Sequence, residues 1–249
     1  MQLQLKTWKF VEDYLKTKTG IIIPIGSTEQ HGPTGLIGTD ALTAEMIGRG
    51  VGEKVGALVA PTISVGMAQH HLAFPGTMTV RPSTLVALIR DQVMSLARNG
   101  FTRFYFLNGH GGNVATIEAA FSELYAEVSY SGGKRGFACK LKNWWDLSGV
   151  NALAQRQFPV GHGSHATPSE IAVTQWGYPD SIKNANYAPQ IAPTGPIREA
   201  ADFRARYADG RMGSDPGLAT PEKGGELVAL AAKSLIEDVT SFGAEVAPG

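Results

Sequence analysis

The chain has 249 residues, 43% of them hydrophobic, and 22 basic side chains balance 22 acidic ones. That length suits one large α/β unit with a substantial core, so residues 1–249 are expected to form a single domain. Balanced charge gives no case for nucleic acid or an anionic membrane surface, no apolar stretch approaches the roughly 20 residues of a membrane span, and a lone cysteine, Cys139, excludes an internal disulfide and favours a reducing compartment.

The N-terminus lacks the basic and apolar regions of a signal peptide, so a cytoplasmic location is expected. Residues 7–17 read as a short amphipathic helix. Gly20 to Ile25 is a continuous apolar run, suited to a strand buried on both faces. A polar, glycine-rich loop follows to Thr39, and Thr39 or Asp40 is placed to cap a helix running to about Val55. Residues 57–63 read as a second strand. A long loop over 64–81 carries His70, His71 and Phe74-Pro75-Gly76-Thr77. Residues 82–99 predict a helix with Pro82 in its first turn and Asn99-Gly100 as its stop. Thr102 to Leu107 is a strand, Asn108 to Asn113 a glycine loop, and a helix follows to about Tyr130. Phe137 to Leu141 is another strand, with Cys139 read as an inert buried thiol. Residues 166–177 read as helical, 178–219 as irregular and 221–240 as a last helix. Alternating strands and helices imply a mainly parallel sheet covered on both faces, with ligands bound outside the carboxyl ends of its strands.

Three clusters carry chemistry. Glu29 and His31, two apart in extended chain, project to one side and offer a carboxylate and an imidazole, both competent for a divalent metal. Asp40 follows at a helix start, where it either bridges two ions or simply caps the helix. In Asn108-Gly109-His110-Gly111-Gly112-Asn113 the flanking glycines leave His110 sterically open as a ligand. The same glycines suit a plain turn or a phosphate cradle, although the P-loop lysine and full GxGxxG spacing are missing. In the third cluster His165 lies in a loop and Glu170 in the first turn of a helix, where the helix dipole alone would accommodate it. His162 is read as a solvated loop residue. There is no HExxH, CxxC or GxSxG pattern, so a serine or cysteine hydrolase has little support.

Taken together, Pro24 to Pro33, Gly38 to Asp40, Phe74 to Thr77, Asn108 to Asn113, His165 to Glu170 and Gly213 to Gly224 resemble the creatininase (creatinine amidohydrolase) family, in order and over nearly the whole chain. The resemblance implies a three-layer α/β/α sandwich, a site for two divalent ions (zinc, manganese or iron), hydrolysis of amide-type C–N bonds in a small molecule, and a homo-oligomer, often a hexamer. It implies Glu29 and His110 on one ion, His31 on the other and Asp40 between them. Creatininase itself carries a glutamate ligand where this chain has Gly112, and relatives with the NGHGGN form use a later glutamate, which matches Glu170. Pro168 departs from the HAGExE of many relatives, and both departures put creatinine itself in question as substrate. The ions would lower the pKa of an attacking water and polarise the carbonyl, with His165 giving a proton to the leaving nitrogen. Glu170 joins His165 in the catalytic set; His71, Trp144 and Trp145 are expected to contact substrate. Arg49, Arg81 and Arg103 are candidates for a substrate phosphate. Two further readings stay open: a non-catalytic protein that binds metal and a small molecule, and a phosphate-binding enzyme built on the 108–113 loop. Within the family, the substrates to weigh are creatinine, formamides of ribotides and a redox-peptide precursor.

Overall fold

A computed structural model of the chain describes residues 1–134 and 136–245. Four strands, β1 (Gly20–Ile25), β2 (Leu58–Val59), β3 (Arg103–Asn108) and β4 (Ala138–Asn143), form one sheet in the order β2-β1-β3-β4, with every pairing parallel. The alternation of side chains explains the unbroken apolar runs. From β1, Ile21, Ile23 and Ile25 join Phe104 and Phe106 of β3 in a core on one face, while Ile22 joins Tyr105 and Leu107 in a core on the other.

Helices cover both faces. Tyr14 of α1 (Trp8–Leu15), Ile89 of α3 (Pro82–Arg98) and Ile117 of α4 (Val114–Tyr130) pack into the first core. Ile47 of α2 (Thr39–Lys54), Val150 of α5 (Val150–Gln157), Val173 of α6 (Pro168–Gly177) and Leu227 of α8 (Pro221–Ala244) pack into the second. The result is the expected α/β/α sandwich. No described helix is long and apolar enough to cross a membrane.

Three local readings change. Strand β2 is shorter than 57–63, because Pro61 has no N–H to continue the ladder; pairing resumes only as an isolated bridge between Ile63 and Ile25. Helix α2 is capped by Gly38, not by the side chain of Thr39 or Asp40: the Thr39 hydroxyl donates to Leu36 O at 2.6 Å, and Asp40 is left for other partners. The irregular stretch 178–219 contains α7 (Ala200–Arg206), whose Phe203 stacks edge-on to His71 with ring centroids 4.6 Å apart. Cys139 is half-buried in β4.

Candidate metal centre and its cavity

The candidate side chains converge where a parallel sheet places ligands, beyond the carboxyl ends of the strands. Glu29 and His31 follow β1, His70 and His71 lie in a turn at 69–71 after β2, His110 follows β3, and Trp144 and Trp145 lie in a turn at 144–146 after β4. Asp40 enters from the first turn of α2 and Glu170 from the first turn of α6.

Two glycines make that convergence possible. A Cβ on Gly26 would lie 2.4 Å from the Asp40 carbonyl carbon, and one on Gly109 would lie 2.0 Å from the Asp40 carbonyl oxygen. The ends of β1 and β3 therefore pinch the start of α2, and the glycines of the 108–113 loop serve close backbone packing around Asp40. The asparagines of that loop tie its neighbours together. Asn113 Nδ2 donates to Gly26 O at 2.9 Å and its Oδ1 accepts from Met67 N at 2.9 Å, while Asn108 Nδ2 donates to His110 O at 2.6 Å.

At the centre, Asp40 Oδ1 lies 3.0 Å from His31 Nε2 and Oδ2 lies 2.9 Å from His110 Nδ1. Glu29 Oε2 is 3.3 Å from His110 Nε2, and Glu170 Oε1 is 4.0 Å from His31 Nε2. Two sets of ligand atoms share Asp40: Glu29, Asp40 and His110 form one, and His31, Asp40 and Glu170 the other. A third set, Glu29, His31 and His165, overlaps both.

The donors fit a divalent cation. Each central histidine commits one ring nitrogen to a main-chain carbonyl, which can only accept: His110 Nε2 to Met67 O at 2.9 Å and His31 Nδ1 to Glu29 O at 3.1 Å. That leaves His110 Nδ1 and His31 Nε2 turned toward Asp40, the arrangement in which a backbone carbonyl orients a metal-binding imidazole. Glu29 Oε1 and Asp40 Oδ2 are buried and receive no well-aligned hydrogen bond, although His71 Nε2 lies 3.2 Å from the first and His110 Nδ1 2.9 Å from the second; a cation relieves that costly state. Carboxylate and imidazole donors of this kind suit zinc, manganese or iron.

The electrostatics point the same way. Burial opposes charge on His31, but Asp40, Glu170 and Glu29 outweigh it and raise its pKa to about 10; His110 is raised to about 9 by Glu29 and Asp40 against the same opposition. The histidines hold Asp40 below the usual carboxylate range although burial pushes the other way. Burial, reinforced by Asp40, lifts Glu170 to about 7 despite its proximity to His31. These shifts favour protons where cations would sit.

Gly112 explains how Glu170 comes to hold its place. A Cβ there would lie 2.4 Å from His110 Nε2, so a side chain at 112 is excluded while His110 keeps its position. Glu170 also completes a capping box: its Oε1 accepts from Thr167 N at 2.6 Å while Thr167 Oγ1 accepts from Glu170 N. The capping role and the site position coincide in one carboxylate.

A cavity of about 360 Å³ opens over the cluster and includes Asp40, His71, His110, Trp144, Trp145, His165, Glu170 and Phe203 in its wall. Trp144 is almost fully buried, and its Nε1 has no hydrogen-bond partner. His71 is in the wall but turns Nε2 toward Glu29 Oε1 at 3.2 Å. His162 is not simply solvated: it is half-buried in the wall, 2.9 Å from Ser169 Oγ. None of the three arginines proposed for a phosphate lines this cavity: Arg49 pairs with Glu45 at 2.6 Å, Arg103 lines a separate cavity at the start of β3, and Arg81 caps α3. Sequence reasoning also passed over Ser27, whose hydroxyl donates to Glu29 Oε2 at 2.7 Å, and Phe203, which no motif marks.

Comparison with known proteins agrees with this geometry. The family model Creatininase (creatinine amidohydrolase) matches residues 4–239. A mycofactocin precursor peptide peptidase of Mycobacterium ulcerans is 30% identical over 94% of this chain and 88% of its own length. A creatinine amidohydrolase of Pseudomonas putida is 29% identical over 62% of this chain and 62% of its own length, so that alignment spans under two thirds of the curated relative. Among solved structures, a creatinine amidohydrolase (creatininase) superposes with a TM-score of 0.85 at 24% identity, covering 98% of both chains. A manganese creatininase superposes with the same score and identity over 98% of this chain and 99% of its own.

Proposed function

The chain belongs to the creatininase family, and from that premise we propose that it is a metal-dependent amidohydrolase cleaving an amide-type C–N bond, a cyclic amide or formamide, in a small polar metabolite. The observation that carries this reading is the pair of three-residue ligand sets joined at Asp40 and opening on a cavity of about 360 Å³. Glu29, Asp40 and His110 would hold one ion, and His31, Asp40 and Glu170 a second. The zinc and manganese forms among the solved relatives support either metal here. When bound, the ions activate water and polarise the scissile carbonyl.

The chain's own residues do the rest. His165 donates from Nε2 to the main-chain oxygen of Gln30 at 2.9 Å, so its Nδ1, 3.7 Å from Glu29 Oε1, presents a lone pair to the site. Burial, with His31 and His71 nearby, holds this imidazole neutral well below its ordinary pKa. The expected proton donor is therefore first an acceptor. As water oxygen bonds to the carbonyl carbon, its proton passes to Nδ1; as the C–N bond breaks, the nitrogen keeps the electron pair and takes that proton. Trp144, Trp145 and Phe203 line the cavity and exclude water around the substrate. Exclusion of a side chain at position 112, and the place of Glu170, argue for a substrate other than creatinine. The name of the M. ulcerans relative keeps a peptide bond within the substrate screen.

Elemental analysis of wild type beside Asp40→Ala is the deciding experiment. Close to two transition-metal ions per chain, lost in the variant, support the centre and justify screening lactams, formamides and short peptides. Wild type that takes up neither zinc, manganese nor iron overturns the reading. His165→Ala is expected to keep its metal while kcat falls about 10²–10⁴-fold.

A further inference from the structure

Gln30 stands between two proposed ligands and has no role in the reaction so far. Its amide is oriented unambiguously. Oε1 accepts from the main-chain N–H of Gly32 at 2.8 Å, and that group can only donate, so Nε2 is the donor end. Nε2 has two hydrogens and three neighbours at 2.9 Å: Gly210 O, His71 Nδ1 and His165 Nε2. Gly210 O can only accept and takes one hydrogen. His165 Nε2 already carries its own hydrogen, given to the Gln30 main-chain oxygen, and has no lone pair there for the amide. The second amide hydrogen goes to His71 Nδ1.

That assignment fixes His71. With Nδ1 accepting, its hydrogen sits on Nε2, the atom 3.2 Å from Glu29 Oε1. The opposite tautomer would set an N–H of His71 against the amide NH₂ and turn a lone pair on the Glu29 carboxylate, both inside the protein. The Ser27 hydroxyl donates to Glu29 Oε2, and the His71 N–H faces Oε1 across 3.2 Å without a well-aligned hydrogen bond.

The geometry points to Gln30 as a positioning residue: its amide holds His71 with the proton on Nε2, so that an N–H and not a lone pair faces the Glu29 carboxylate and braces it electrostatically for a metal ion. The bracing rests on the metal centre proposed above, whereas the tautomer does not. Outer contacts of this kind are typically worth 10–100-fold in metal affinity.

The test is the ¹⁵N spectrum of the histidine rings in the metal-free protein at neutral pH, together with zinc affinity measured against a chromophoric chelator. His71 and His165 are both expected to carry hydrogen on Nε2; a protonated Nδ1 on neutral His71 overturns the proposal. Gln30→Met is expected to mix the His71 tautomers and weaken zinc about 10–100-fold; unchanged tautomer and affinity also overturn it. Should that variant not fold, two others decide. His71→Gln keeps an N–H donor near Glu29 and is expected to hold zinc close to wild type, while His71→Ala loses it; equal loss in both refutes the bracing. A protein with the stated tautomers that hydrolyses no amide sinks the proposed function and leaves Gln30 in place. A reversed tautomer in an active hydrolase does the opposite.

Discussion

His110 lies at the tightest point of the centre, because its ring fills the space that a side chain at 112 would need. Gly112→Ala sets a methyl carbon 2.4 Å from Nε2 and 2.8 Å from Met67 O, the carbonyl that Nε2 uses. The ring must turn, and Nδ1 leaves Asp40. Overpacking of this kind costs about 1–3 kcal/mol, and the displaced ligand should lower zinc affinity tenfold or more. Isothermal titration beside denaturant unfolding separates the two effects; unchanged affinity would remove His110 from the ligand set. This clash was invisible in the sequence, which marks His110 only as a histidine among glycines. Glu29, His31, Asp40, His110 and Glu170 were legible because each is a metal-competent side chain within a family motif. Gln30, Ser27 and Asn113 were not, since an amide or hydroxyl acquires its meaning only from the partner it faces. His162 was misjudged because the turns on either side of it fold back: Phe158, four residues before, and Ser169, seven after, flank its ring and leave it half-buried.

Among the elements, the strands read most clearly. Sheet strands buried on both faces need continuous apolar runs, and β1 and β3 have them. Helices α5 and α7 escaped notice because they are short, eight and seven residues, and the start of α5 has no side-chain cap. Their order comes from tertiary packing, and in the segment over 178–219 much of that packing passes through Arg211. Its guanidinium is fully buried and donates to Asp209 Oδ2, to Gln190 O and Ser214 O, and to Pro189 O. Four acceptors from three stretches of chain are thereby held together, and the segment presents Phe203 to the cavity. Arg211→Ala leaves the three carbonyls without this donor and should cost about 2–4 kcal/mol. Urea unfolding measures that loss. Limited proteolysis should then cut within 178–219 before it cuts the sheet, and KM should rise more than kcat falls, because the segment contributes Ile197 and Phe203 to the cavity wall and holds none of the proposed ligands.

Across the whole molecule, the proposed ligands come from 29–31, 40, 110 and 170, so a bound cation ties together the loops after two strands, β1 and β3, and the first turns of two helices, α2 and α6. Binding energy at this centre is therefore folding energy as well, and both depend on pH. His31 and His110 have folded pKa values of about 10 and 9, above the ordinary 6.5, because neighbouring carboxylates outweigh burial. Between 6.5 and those values the folded metal-free chain binds more protons than the unfolded chain. The stability these groups confer is complete below 6.5 and is lost as pH rises through 9 and 10. Glu170, lifted to about 7 chiefly by burial, acts in the same sense between its ordinary value and 7. His70 and His71, depressed to about 4 and 3 chiefly by burial, act oppositely, and their contribution is present above 6.5 and lost below it. Above pH 7 the raised imidazoles set the trend, opposed by the N-terminal amine, whose pKa is lowered chiefly by burial. Divalent cations must displace the protons on His31 and His110 and the partial proton on Glu170, so filling the site at pH 7 should release about two to three protons per chain, and binding should tighten as pH rises toward 9. The metal-free melting temperature should then fall from pH 7 to 9.5, and the gap between metal-loaded and chelator-treated protein should widen over the same range. Calorimetric scans at three pH values, with titrations in buffers of different ionisation enthalpy, read both quantities. A constant gap with no proton release would mean that the two imidazoles are neutral in the free site, and that metal binding owes nothing to proton displacement.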